Sequence, residues 1–220
     1  MIQWSAFFIG DSISVRYGSW LEKYLAPAVS YARKSGLNDA LKDLDVPQGA
    51  NGGDSVMVLE YLLRNGDHRE IGAVDLLVVN CGLHDIKTDP VSGIRQVDPD
   101  EYRSNLDRIL ETARALCPRF VWMSTTPCID AIHNSRSTAF HRFREDVERY
   151  NQIATEVMSS NGVPVIDLFA LTVALETDLG DEIYEDHVHF VPEVRRLQAS
   201  YIAGWVDAYR QASSVKIRSR

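Results

Sequence analysis

Cysteine is scarce in this chain: three among 220 residues, with no CxxC pair. That excludes a disulfide framework and a thiolate zinc site, and leaves Cys81, Cys117 and Cys128, in or beside apolar runs, as buried reduced thiols. Basic charge is short as well, 23 Lys and Arg against 31 Asp and Glu for a net −8. A nucleic-acid partner is therefore not expected, because phosphate binding rests on clustered cations. No apolar run is long enough to span a membrane. Residues Met1 to Gly10 are apolar but lack a positive n-region, so they read as a first β-strand. With no room for a targeting segment ahead of it, the cytoplasm is the expected compartment. GxGxxG and GxxxxGK[ST] are both missing, which disfavours a nucleotide or phosphate binder.

What is there is a globular composition, 45% hydrophobic and 25% charged, without repeats or low-complexity stretches. A chain of this length buries roughly 70% of its unfolded surface and needs no staples. Residues 1–212 read as one domain, and 213–220 as a short basic tail with little to bury.

Short apolar runs at Ser5–Gly10, Ala28–Tyr31, Asp75–Asn80, Arg119–Ser124 and Pro164–Leu168 imply five buried strands. Helical patterns alternate with them. The clearest opens at Asp98, which can cap, with Pro99 at the first helical position and Glu101 placed to close a capping box. Two more run from about Phe140 to Ser159 and from about Pro192 to Tyr209. The first has Phe143, Val147, Tyr150, Ala154 and Val157 on its inward face, the second Val194, Leu197, Tyr201, Ile202 and Trp205. Near-continuous apolar strands alternating with helices predict an α/β fold: a three-layer α/β/α sandwich around a mostly parallel five-stranded sheet. Two long connections, 35–53 and 127–138, are candidate site loops. Ligands of such sheets bind beyond the carboxyl ends of the strands.

Candidate chemistry falls at those ends. Ser12, in Gly10-Asp11-Ser12, follows the first strand and opens a helix, where free N–H groups favour negative charge on an attacked carbonyl. On its own, Asp-Ser at such a turn is an ordinary N-cap. Asp186 and His189 stand three apart before the last helix. An Asp so placed can hold one imidazole nitrogen and leave the other free to deprotonate a serine. A metal site from Asp186, His187 and His189 is disfavoured, since neighbours in an extended turn diverge and no further ligands cluster. Gly53, in Asn51-Gly52-Gly53-Asp54-Ser55, could offer its N–H to an oxyanion. Asn80 and His84, in Asn80-Cys81-Gly82-Leu83-His84-Asp85, could offer side-chain donors, His84 ranking first.

In this order, Gly10-Asp11-Ser12, Gly53-Asp54-Ser55, Gly82-Leu83-His84-Asp85 and Asp186-His187-Val188-His189 resemble the four blocks of the SGNH (GDSL-type) hydrolases. Tyr150 to Ala154 and Gly162 to Leu168 resemble that family's helix leading into its last strand. The resemblance implies a flavodoxin-like fold and a serine esterase without cofactor. Ser12 would be the nucleophile, His189 the base and then acid, and Asp186 its orienter. The N–H groups of Ser12 and Gly53 would form the oxyanion hole. The family completes that hole with an Asn where this chain has His84, whose imidazole would add a pH dependence that an amide lacks.

The substrate implied is a small ester. With no long apolar lid segment, a short acyl group such as acetyl on a polar or carbohydrate-like alcohol is preferred. Lipid or thioester hydrolysis, acyl transfer by the same triad, and a non-catalytic binding module are the alternatives. Oligomeric state stays open.

Overall fold

The computed structural model describes residues 3–65, 70–137 and 139–218, with side chains as far as Ser213. Met1, Ile2, Thr138, Ser219 and Arg220, which carried sequence-based assignments, lie outside these residues.

Five parallel strands form one sheet in the order β2-β1-β3-β4-β5. They are β1 (Trp4–Ile9), β2 (Val29–Arg33), β3 (Leu76–Val79), β4 (Phe120–Met123) and β5 (Val165–Ile166). All five expected runs are strands, and the sheet is wholly parallel. β5 is shorter than its apolar run because Asp167 turns its carboxylate to the Ala170 N–H and caps the next helix. The central strand β3, Leu-Leu-Val-Val, is fully buried. Burial on both faces removes the polar alternation of a one-sided strand, and truncating Leu77 to Ala should cost about 2–5 kcal/mol.

The helices are α1 (Ser12–Leu25), α2 (Leu37–Ala40), α3 (Ser55–Arg64), α4 (Pro99–Leu116), α5 (Asp130–Arg136), α6 (Arg144–Ser160), α7 (Leu168–Leu179) and α8 (Pro192–Arg218). α1, α7 and α8 pack together, as do α3, α4 and α6, giving a layer on each side of the sheet. α4 starts as predicted, with Asp98 accepting from the N–H groups of Asp100 and Glu101. None of the described residues crosses a membrane as a long apolar helix.

Four expectations need correction. α6 begins at Arg144, not near Phe140, because His141 pairs in extended form with Thr88 and Arg142 runs inward to the Leu83 carbonyl. Loop 127–138 contains α5. In α8, Leu197 and Tyr201 are exposed, and the buried seam is Val194, Gln198, Ile202 and Val206. Gln198 reaches the seam because its amide meets Thr172 Oγ1 of α7 at 3.3 Å. α8 also runs on beyond Tyr209, through Arg218.

The strand order reverses direction between β2-β1 and β1-β3, and the segments leaving β1 and β3 carry Ser12 and His84. Such a switch point opens a crevice at the carboxyl ends of the strands.

Candidate active site

Ser12 is the first residue of α1, held there by Asp11. The Asp11 carboxylate accepts from the Ile13 N–H at 2.9 Å, and its carbonyl takes the Ser14 hydroxyl and the Val15 N–H. As a first-turn residue, Ser12 has no intrahelical acceptor for its own N–H. Its side chain lies at the positive end of the helix. Burial raises the carboxyl pKa of Asp11, opposed by the Ile13 N–H and by the charges of His189 and Arg142.

The turn from Tyr184 to Phe190 brings Asp186 and His189 to that serine. It is closed by Glu185 N–H to the His189 carbonyl, Val191 N–H to the Ile183 carbonyl, and Tyr184 packed on Phe190. Glu185 ties it to α1 and α8 through ion pairs with Arg16 and Arg195. Inside it, Asp186 Oδ1 accepts the N–H groups of His187, Val188 and His189, while Oδ2 lies 2.7 Å from His189 Nδ1. His189 Nε2 is 2.9 Å from Ser12 Oγ, 177 residues away in sequence. Burial works against the Asp186 charge, but the bonds from the His189 ring and backbone outweigh it and hold the carboxyl well below the usual range. An ionised carboxylate can only accept, so Nδ1 carries the imidazole proton and Nε2 is the bare base facing the serine hydroxyl.

Gly52 and Gly53 form the turn into α3. Gly52 N–H donates to the Gly10 carbonyl at 2.8 Å, docking this turn against the Ser12 turn. Gly53 has φ of +77°, and a Cβ there would press on Met57 and Pro47. Its N–H is engaged, donating to Asn51 Oδ1 at 3.1 Å. The expected donor therefore reaches an oxyanion only by sharing its hydrogen. Asp54 caps α3 at the Met57 N–H, and Asp85 takes the Ser55 N–H at 2.8 Å.

His84 is 2% exposed, with Nε2 3.5 Å from Asn51 Nδ2 and Nδ1 without a partner. Desolvation, and then the positive fields of Lys87, Arg142 and His189, push its pKa well below the ordinary imidazole value. The pH dependence near neutrality expected of it is corrected accordingly: His84 is a neutral ring there. Asn80 is less suited to donating than its sequence position suggests. Its amide donates to the Met123 carbonyl at 3.0 Å and to Thr125 Oγ1 at 3.2 Å, tying β3 to β4.

Several groups shape this centre without a local signal in sequence. Asp85 is fully buried, and burial raises its carboxyl pKa to about 8. Arg142, 2% exposed, donates from Nε to the Leu83 carbonyl beside His84 and stands 3.6 Å from Asp45. Lys87 donates to the Asp45 carbonyl. His133 packs beside His187, ring centroids 4.4 Å apart and the planes tilted by 50°. Asp45 and His133 sit in the 35–53 and 127–138 connections, which flagged them only weakly; Arg142 gave nothing to find. Among the described residues no three His, Cys, Asp or Glu side chains cluster as metal ligands.

Residues 8–197 match the model of the GDSL-like lipase/acylhydrolase family. No curated protein matches the sequence. Among solved structures, a lipase/acylhydrolase from Enterococcus faecalis is 18% identical with a TM-score of 0.68, over 94% of this chain and 97% of that one. The acetyl xylan esterase AlAXEase is 16% identical with a TM-score of 0.67, over 92% and 99%. Est24, a carbohydrate acetylesterase from Sinorhizobium meliloti, is 16% identical with a TM-score of 0.61, over 94% and 100%. At these identities the structures share a fold, and the family match covers most of the chain. The chain belongs to the GDSL-like lipase/acylhydrolase family.

Proposed function

We propose that this family member is a serine esterase that removes a short acyl group, acetyl foremost, from a polar or carbohydrate-like alcohol. The observation that carries the reading is the hydrogen-bonded line from Ser12 Oγ through His189 to Asp186. His189 Nε2 takes the Ser12 proton as the oxygen attacks the ester carbonyl, and Asp186 stabilises the imidazolium that forms. Charge on the tetrahedral oxygen is held by the Ser12 N–H and the His84 ring, with Gly53 sharing its N–H. His189 then protonates the departing alcohol. Water, deprotonated in turn by His189, frees the acyl group from Ser12. No step calls for a metal or organic cofactor.

The short acyl preference is supported by the walls. Ser12 and His189 are 4% and 3% exposed, and the side chains of Asp11 and His84, which are electrostatically coupled to His189, are polar. Two of the structural neighbours are described as carbohydrate-directed acetyl esterases. The test is a series of 4-nitrophenyl esters from acetate to decanoate. The reading expects kcat/KM to fall steeply beyond butyrate; a rise toward decanoate would assign the site to lipids instead.

A further inference from the structure

Asn51 is fully buried, and its side-chain amide touches three groups. Oδ1 accepts the Gly53 N–H at 3.1 Å, Nδ2 donates to the Leu44 carbonyl at 3.2 Å, and Nδ2 also lies 3.5 Å from His84 Nε2. The first two contacts fix which way the amide points. Turned over, it would set an NH2 against the Gly53 N–H and a carbonyl against the Leu44 carbonyl, a donor on a donor and an acceptor on an acceptor. Lys34 Nζ, donating to the carbonyls of Gly49 and Asn51, holds the same stretch of backbone. The group facing His84 Nε2 is therefore an N–H, and Nε2 must meet it as a bare nitrogen. A neutral imidazole with a bare Nε2 carries its hydrogen on Nδ1, and Nδ1 is the buried ring nitrogen with no partner in the protein. An orphaned buried donor is costly, and it is what a carbonyl oxygen turning into an oxyanion needs.

We infer that Asn51 is the positioning residue that locks His84 in the Nδ1–H tautomer, so that this N–H does the work of an amide donor in the oxyanion hole. The inference rests on the esterase reading and adds to it how a histidine can serve at the position where the resembled family pattern has an Asn. On this reading Asn51 sets the tautomer of the ring, and the ring rather than an amide donates to the oxyanion.

The test is long-range proton–nitrogen NMR on the full chain labelled with [15N]histidine, the His84 signal being identified by its loss in His84→Asn. The expected result at pH 7 is a protonated Nδ1 and a bare Nε2. A protonated Nε2 would overturn the inference, and the state is read on the unaltered protein, His84→Asn serving only to assign the signal. In Asn51→Asp the carboxylate draws the hydrogen to Nε2. The Nδ1 donor is lost, and kcat on 4-nitrophenyl acetate should fall on the order of 100-fold with little change in KM. In a His84→Asn background, which has no tautomer to set, the same change should cost under about threefold, a non-additivity that loop damage alone does not produce. Equal costs in both backgrounds would refute it. If hydrolysis by the unaltered protein does not require Ser12, the esterase reading fails while the tautomer result still stands.

Discussion

Asp186 Oδ2 lies 2.7 Å from His189 Nδ1, and the other oxygen of the same carboxylate gathers three backbone N–H groups from the turn that presents the histidine. One side chain thus shapes the turn and sets the protonation of the base. In Asp186→Asn the amide oxygen would keep the three backbone contacts and its NH2 would face Nδ1. The ring would then carry its hydrogen on Nε2 and could no longer accept from Ser12. Steady-state kinetics on 4-nitrophenyl acetate should show kcat down roughly 10³–10⁴-fold with KM nearly unchanged. A KM-dominated loss would place Asp186 outside the proton path.

His84 offers a graded test. His84→Leu, which keeps the bulk and removes the donor, should lower kcat/KM by about 100–1,000-fold, whereas His84→Asn should keep or raise it. Because the buried ring is neutral at ordinary pH, the pH profiles of the unaltered protein and His84→Asn should coincide between pH 5.5 and 8. A break near 6.5 present in one and lost in the other would show that His84 titrates during the reaction.

Ser12, Asp186 and His189 carry local signals, a cap after a strand and a carboxylate three residues before a histidine, but each is ordinary on its own, and only the order of the four family-like blocks along the chain singled them out. The strands were legible locally, each being a short apolar run. Arg142 and Asp85 were not. Their roles come from partners 59 and 30 residues away, the Leu83 carbonyl and the Ser55 N–H. Gln198 hid the seam of α8 because a polar residue satisfied by Thr172 looks the same in sequence as one facing water. Asn80 stood where a donor was wanted, but its amide is consumed by β4.

Asp85 ties stability to pH. Burial raises its folded carboxyl pKa to about 8 from a usual value of 3.8, so between those limits the folded state holds a proton that the unfolded state has released. Stability from this group is complete below about pH 4 and is lost as pH rises toward 8. Asp85→Asn, which can still accept from Ser55, has no such loss. By urea denaturation its gain over the unaltered protein should be about 2–3 kcal/mol larger at pH 8 than at pH 4, taking roughly half the full linkage value. A gain independent of pH would show that Asp85 is ionised in the fold.

His133 acts at the other end of the scale. Burial first, then the charges of Arg142 and His187, push its pKa down to about 4. The fold holds it neutral while the unfolded chain takes a proton as pH falls below about 6.5, so stability declines from there toward pH 4. His133→Gln, which can still donate to the Phe140 carbonyl that His133 Nε2 faces, should flatten that decline in urea midpoints taken at half-unit steps. An unchanged slope would assign acid sensitivity to other groups.

The central claim is that Ser12, activated by His189, is a nucleophile. Intact-mass spectrometry after exposure to a fluorophosphonate tests it most directly. The unaltered protein should gain one phosphonyl adduct, located at Ser12 by peptide mapping, and Ser12→Ala should gain none while keeping its fold. Equal labelling of both proteins, or an adduct on another residue, would contradict the account.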